Sequence, residues 1–214
     1  MLGEIALGFA HEIRNPLLVI KTSAELVHNK LPGEGKEVRL LGFVIEEVGR
    51  IDSLVSEFLS FAKPEPLNLA YFYCKSLVED VLEISAAELD KRSIHCSVLD
   101  ESAEGRALGE QNQIRQVLLN LVLNAMDAMP DGGSLDIRLY DRDDSHICLE
   151  IKDTGTGIAE EILPSIYLPF ISTKKSGLGL GLAKVYAIIE AHGGTIACAS
   201  ELDRGTTFTI CLNK

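Results

Sequence analysis

No stretch of this 214-residue sequence approaches the roughly 18–20 uninterrupted apolar residues that a membrane-spanning helix needs. The basic, apolar and small-residue pattern of a secretory signal is missing too. Basic residues are few: 20 Lys and Arg stand against 32 Asp and Glu, a net charge of −12. That balance excludes a general nucleic-acid surface, which needs clustered cations to displace counterions. A local glycine-rich pocket for a nucleotide needs no such excess. The five cysteines (Cys74, Cys96, Cys148, Cys198 and Cys211) include no C-x-x-C pair and are odd in number. They read as reduced, mostly buried thiols of a cytoplasmic protein, with neither a disulfide framework nor a metal cluster. Repeats and low-complexity segments are absent as well. Hydrophobic residues make up 46% of the chain, enough for a packed core of one or two domains without membrane contact.

What is present falls into two periodicities. Leu2, Ile5, Phe9, Ile13, Leu17, Ile20, Ala24, Val27 and Leu31 recur at steps of three and four. Val38, Leu41, Ile45, Val48, Ile51, Val55, Phe58 and Ala62 do the same. Pro32, Gly33 and Gly35 between the two runs mark a stop and a turn. A lone helical hairpin buries too little, so its apolar seam predicts a homodimer that closes a four-helix bundle. The prolines of "KPEPLN", residues 63–68, mark a boundary between domains 1–63 and 64–214. Beyond it, strands are predicted at 67–74, 93–100, 134–142, 146–153, 195–200 and 206–212, and helices at 75–91, 110–129 and 181–194. This grouping predicts an α+β architecture whose second domain is a sandwich, one sheet covered by helices on one face.

Four places carry chemistry. A helix turns about 100° per residue, which puts His11 on the face opposite the apolar stripe, with Leu7, Asn15 and Leu18 beside it. Glu12 adjoins it and can accept one ring N–H, leaving the other nitrogen as a nucleophile. Pro16 has no N–H for the Glu12 carbonyl, so the helix is expected to loosen there. In the second domain, "DTGTG" at 153–157 follows a strand; Asp153 can accept from an exocyclic amine, and Gly155 and Gly157 let backbone approach a planar base. "GLGLGL" at 177–182 precedes a helix, so its N–H groups can face phosphates. Asn120 and Asn124 share one helix face as hard oxygen ligands suited to Mg2+.

In this order the motifs resemble those of the sensor histidine kinases, over essentially the whole chain. "FAHEIRNPL" resembles the phosphoacceptor box and "NQIRQVLLNLVLNAMDAM" the asparagine box. "DTGTGI" resembles the first glycine box, "YLPFISTKKSGLGLGL" the phenylalanine box running into the second, and "GTTFTICL" the final glycine-threonine box. "NAMDAM" and "PFISTKKSGLGLGL" look most similar to the nitrogen-regulation branch. The resemblance implies a dimeric helical hairpin followed by a Bergerat-type ATP-binding α/β sandwich. His11 would take the γ-phosphoryl group, Glu12 would activate it, and Asn15 would place water when a phosphorylated receiver is hydrolysed. Asn120 and Asn124 would hold Mg2+ and the phosphates of ATP, and Asp153 the adenine amine, with Gly155, Gly157 and Thr206 shaping the pocket. Residues 165–180 would form a lid framed by Phe170, Gly177, Gly179 and Gly181. Many members carry Lys or His three residues after the second box asparagine, where this chain has Asp127; the replacement cation is expected to be Lys174 or Lys175.

The implied reaction is autophosphorylation from ATP, then transfer to an aspartate of a response regulator, with linker 63–68 and Pro16 as hinges. The parent protein would be cytoplasmic or the cytoplasmic part of a longer, membrane-anchored sensor. His192 reads as a helix-end residue, and His28, His95 and His146 match no constellation. Two rival readings stay open: an ATPase of the gyrase and mismatch-repair nucleotide fold, and an ATP-binding dimeric scaffold without kinase activity.

Overall fold

A computed structural model of the chain describes residues 2–31, 35–62, 67–171 and 179–214, without the side chains of residues 2–12, 53 and 56–62. It forms two compact units, Met1–Glu65 and Pro66–Lys214. Linker residues 63–66 lie outside the described residues.

The first unit is a pair of packed helices, α1 (Leu2–His28) and α2 (Lys36–Ala62). Helix α1 runs through Pro16 as one element. Leu17, Ala24 and Val48 supply its buried centre, and Arg14 Nε donates to Asp52 Oδ1 at 2.9 Å across the pair. The apolar stripe is only partly used: Ile20 and Val27 are 46% and 49% exposed in the single chain.

The second unit runs β1 (Ala70–Tyr73), α3 (Cys74–Lys91), β2 (Ile94–Asp100), β3 (Arg106–Gly109), α4 (Gln111–Ala128), β4 (Gly133–Asp143), β5 (His146–Asp153), a short 3-10 turn (Leu163–Ser165), α5 (Gly181–Ala191), β6 (Thr195–Glu201) and β7 (Gly205–Asn213). Its main sheet has the order β2-β4-β5-β7-β6, parallel between β2 and β4 and antiparallel elsewhere. Alternation sorts the two faces: on β4, Leu135, Ile137 and Leu139 are buried while Asp136 and Arg138 are exposed. The inward residues meet Ile114, Val117, Leu118, Leu121 and Val122 of α4, which recur at helical spacing, and Val185, Ile188 and Ile189 of α5. This is the expected α/β sandwich.

Two expectations need correction. The strands do not form a single sheet: β1 pairs antiparallel with β3 in a separate two-stranded sheet. Strand β3, "RALG", is four residues long and too short to announce itself by alternation. The cysteines are not all free thiols: Cys148 and Cys211 form a disulfide. They are directly opposed on the neighbouring strands β5 and β7, 63 positions apart in sequence, and spacing could not show that. Of the rest, Cys74 is buried, Cys198 half-buried and Cys96 exposed. Burial pushes the Cys74 thiol up to about 12 and the Cys198 thiol up to about 11, which keeps both unreactive. Among the described residues, no helix is long and apolar enough to cross a membrane.

Candidate functional site

Helix α4 is the spine of the site. The Glu110 carboxylate caps its start, accepting from the backbone N–H groups of Asn112 (3.3 Å) and Gln113 (2.7 Å). One face is locked into the core. Asn120 and Asn124 sit half-buried, one turn apart, at its border. The Asn120 Oδ1 lies 3.6 Å from where a Cβ on Gly181 would stand, so it is beside the first residue of α5. Among the described residues that helix has no side-chain cap: Leu180 occupies the N-cap position and offers no acceptor. Uncapped N–H groups at a helix start favour an anion, and an amide oxygen beside them favours a cation bound to that anion.

The end of β5 supplies the second part. Asp153 is buried, and its Oδ1 accepts from the backbone N–H of Gly155 (2.8 Å) and of Thr206 (3.2 Å). Both bonds use one oxygen, and among the described residues Oδ2 is left to take an N–H from a ligand. Burial pushes the carboxyl above the ordinary aspartate range, and the two N–H donors pull the other way. The following loop is tied down on both sides. The Thr156 N–H donates to the Ala128 carbonyl of α4 at 3.0 Å, and the Thr156 carbonyl accepts from the Asp203 N–H at 2.8 Å. Ser200 Oγ accepts from the Ile158 N–H at 2.8 Å and lies 2.9 Å from the Thr206 hydroxyl. Gly157 has φ +68°, and a Cβ there would strike the Glu201 carbonyl. Protein packing thus accounts for this glycine without any base present.

Phe170 has φ +66°, which is rare outside glycine, and the residue is 62% exposed. Its N–H donates to the Gly179 carbonyl at 3.1 Å, joining the two ends of the segment between them. Lys174, Lys175 and Gly177 lie outside the described residues. So do the side chains of His11 and Glu12, whose backbones belong to α1. Asn15 is exposed one turn further on, and Leu18 beside it is 61% exposed.

Asp127, the unexpected acid near the end of α4, is bonded to a cation that sequence reasoning missed. Arg92 Nη1 donates to Asp127 Oδ1 at 3.1 Å and to the Met126 carbonyl at 2.9 Å, and Nε donates to Glu88 at 2.7 Å. The Arg92 hydrogen bond holds the Glu88 carboxyl below its usual range. Arg92 is 35 positions from Asp127 in sequence, and no motif contains it.

Comparison with known proteins supplies the context. Residues 1–67 match the family described as His Kinase A (phospho-acceptor) domain. Residues 109–214 match Histidine kinase-, DNA gyrase B-, and HSP90-like ATPase. Sporulation kinase A of Bacillus subtilis is 38% identical over 99% of this chain and 34% of its own length. Sensor histidine kinase ZraS of Escherichia coli is 35% identical over 99% of this chain and 45% of its own. The chain thus spans less than half the length of these curated relatives. Among solved structures, full-length ShkA in complex with AMPPNP superposes with a TM-score of 0.85 at 26% identity, over 99% of this chain and 46% of that one. Histidine kinase ThkA in complex with response regulator protein TrrA gives 0.72 at 28% identity, over 100% of this chain and 62% of that one.

Proposed function

This chain belongs to the sensor histidine kinases and carries their catalytic core, and from that premise we propose that it transfers the γ-phosphoryl group of ATP to His11. The phosphoryl group then passes to an aspartate on the receiver domain of a response regulator. The observation that carries the reading is the pairing of Asn120 Oδ1 with the uncapped start of α5, in the same unit as a buried Asp153 with one oxygen left open. Phosphoryl transfer needs positioning and charge neutralisation more than covalent chemistry, and these elements offer both.

In this proposal Asp153 accepts the adenine amine through Oδ2, and Gly155, Gly157 and Thr206 hold it in place. The N–H groups opening α5, with Gly179 and Gly181, face the phosphates. Phe170 anchors the lid, and Lys174 and Gly177 belong to it. The donor set fits Mg2+: amide oxygens are hard ligands, and a phosphate-binding helix start adjoins one of them. Asn120 and Asn124 would hold the ion, which would neutralise phosphate charge. Glu12 orients and activates the His11 ring, and residues 1–63 act as the dimerisation and phosphotransfer domain. Residues 64–214 act as the ATP-binding domain. Asn15, exposed one turn from His11, supports receiver dephosphorylation as a second activity. The sequence similarity of "NAMDAM" and "PFISTKKSGLGLGL" supports a place near the nitrogen-regulation branch.

The test is incubation with Mg·ATP labelled at the γ-phosphate. We expect acid-labile label on the peptide that contains His11, and its loss in His11→Ala. Labelling of His11→Ala at the parent level would overturn the proposal. Phosphate release without protein labelling would favour an ATPase.

A further inference from the structure

His192 follows α5 and is buried, unlike the usual helix-end residue. Its Nδ1 lies 2.7 Å from the Ile188 carbonyl, one turn back in its own helix. A carbonyl can only accept, so Nδ1 carries the proton. The other nitrogen, Nε2, accepts from the backbone N–H of Glu110 at 3.0 Å, across 82 residues of sequence. Both ring nitrogens are therefore committed and the tautomer is fixed. The ring packs over Gly109, where a Cβ would lie 3.0 Å from His192 Cδ2 and 3.2 Å from the Phe72 ring. Glycine leaves the space the imidazole needs.

Glu110 is the cap of α4, so the bond joins the end of α5 to the start of α4. Asn120 lies ten residues after Glu110, about 15 Å along α4. Gly181 lies eleven residues before His192, about 16 Å along α5. Asn120 and Gly181 meet, as shown above. Two arms of nearly equal length thus run side by side: bonded through His192 and Glu110 at one end, and adjacent at Asn120 and Gly181, the candidate phosphate site, at the other. Apolar packing holds both helices against the sheet but is not directional, so with this bond broken their axial register, and with it the spacing between Asn120 and the N–H groups of α5, is less tightly set. We propose that His192 is a positioning residue that fixes this spacing from the far end of the helix pair. The proposal rests on the nucleotide reading of the site.

Two variants separate the roles of the two nitrogens. His192→Gln places its amide oxygen where Nε2 stands and can keep the bond to Glu110. His192→Asn reaches only the Nδ1 position and keeps the local bond alone. At a temperature where circular dichroism shows all proteins folded, the KM for ATP should rise about tenfold in His192→Asn. The rate at saturating ATP should change less than about twofold, and His192→Gln should stay within about twofold of the parent in both. Amide hydrogen exchange supplies a readout that needs no activity. The Glu110 N–H should be protected in the parent and in His192→Gln, and exposed in His192→Asn. Unchanged KM in His192→Asn, equal KM losses in both variants, or a freely exchanging Glu110 N–H in the parent would each overturn the proposal. A parent that binds no ATP would sink the nucleotide reading, while the exchange data would still decide the helix joint.

Discussion

A buried carboxylate that stays ionised at neutral pH weakens the domain that holds it. The Asp153 carboxyl is pushed above 3.8 mainly by burial. A raised value means that its stabilising contribution is complete below the unfolded-state pKa and is lost as pH rises through the folded one. At neutral pH Asp153 therefore costs stability. Asparagine can still accept from Gly155 and Thr206 through one oxygen and carries no charge. Asp153→Asn is expected to raise the melting temperature of the nucleotide-free protein at pH 7, and the gain should shrink as pH falls toward 4. In calorimetric titration the same variant should bind ATP roughly tenfold to hundredfold more weakly, because an amide N–H replaces the acceptor. Asp153 was legible in sequence because a strand end and two glycines flank it. Ser200 and Arg92 were not, since each meets its partners only in the folded domain.

Elements differ in how openly they announce themselves. Helix α4 shows its core spacing in sequence, and the Glu110 carboxylate that starts it is one residue upstream. Glu110→Ala removes both side-chain cap bonds while leaving the backbone N–H that His192 holds. It should cost about 1 kcal/mol and lower the melting temperature by about 3 °C in a thermal scan, with little change in KM for ATP. Strands β4, β5 and β7 were readable from alternation and β-branched content, and the turn between β4 and β5 from its Asp-Asp-Ser run. Strand β3 was not, because its four residues gain meaning only beside β1. The Cys148–Cys211 pairing was hidden for the same reason: it is a property of register, not of spacing.

The largest scale is that of two units and their assembly. The hairpin leaves Ile20 and Val27 half uncovered on the stripe that also contains the buried Leu17 and Ala24. A second copy would cover them, and a sedimentation measurement should return about twice the 23.3 kDa chain mass. Ile20→Glu places a charge in that seam and should return the monomer mass, with the melting profile of residues 66–214 retained. A monomeric parent would remove the dimer from the scheme. The geometry at Asp153 also bears on which edge of a base the second unit can hold. With Oδ1 already engaged, Oδ2 can only accept. A base that turned a keto oxygen toward Oδ2, where adenine would present its amine, would set one lone pair against another. In the proposed pocket, Asp153 therefore selects the edge of the ring that faces it: one that leads with an N–H is held, and one that leads with a keto oxygen is repelled.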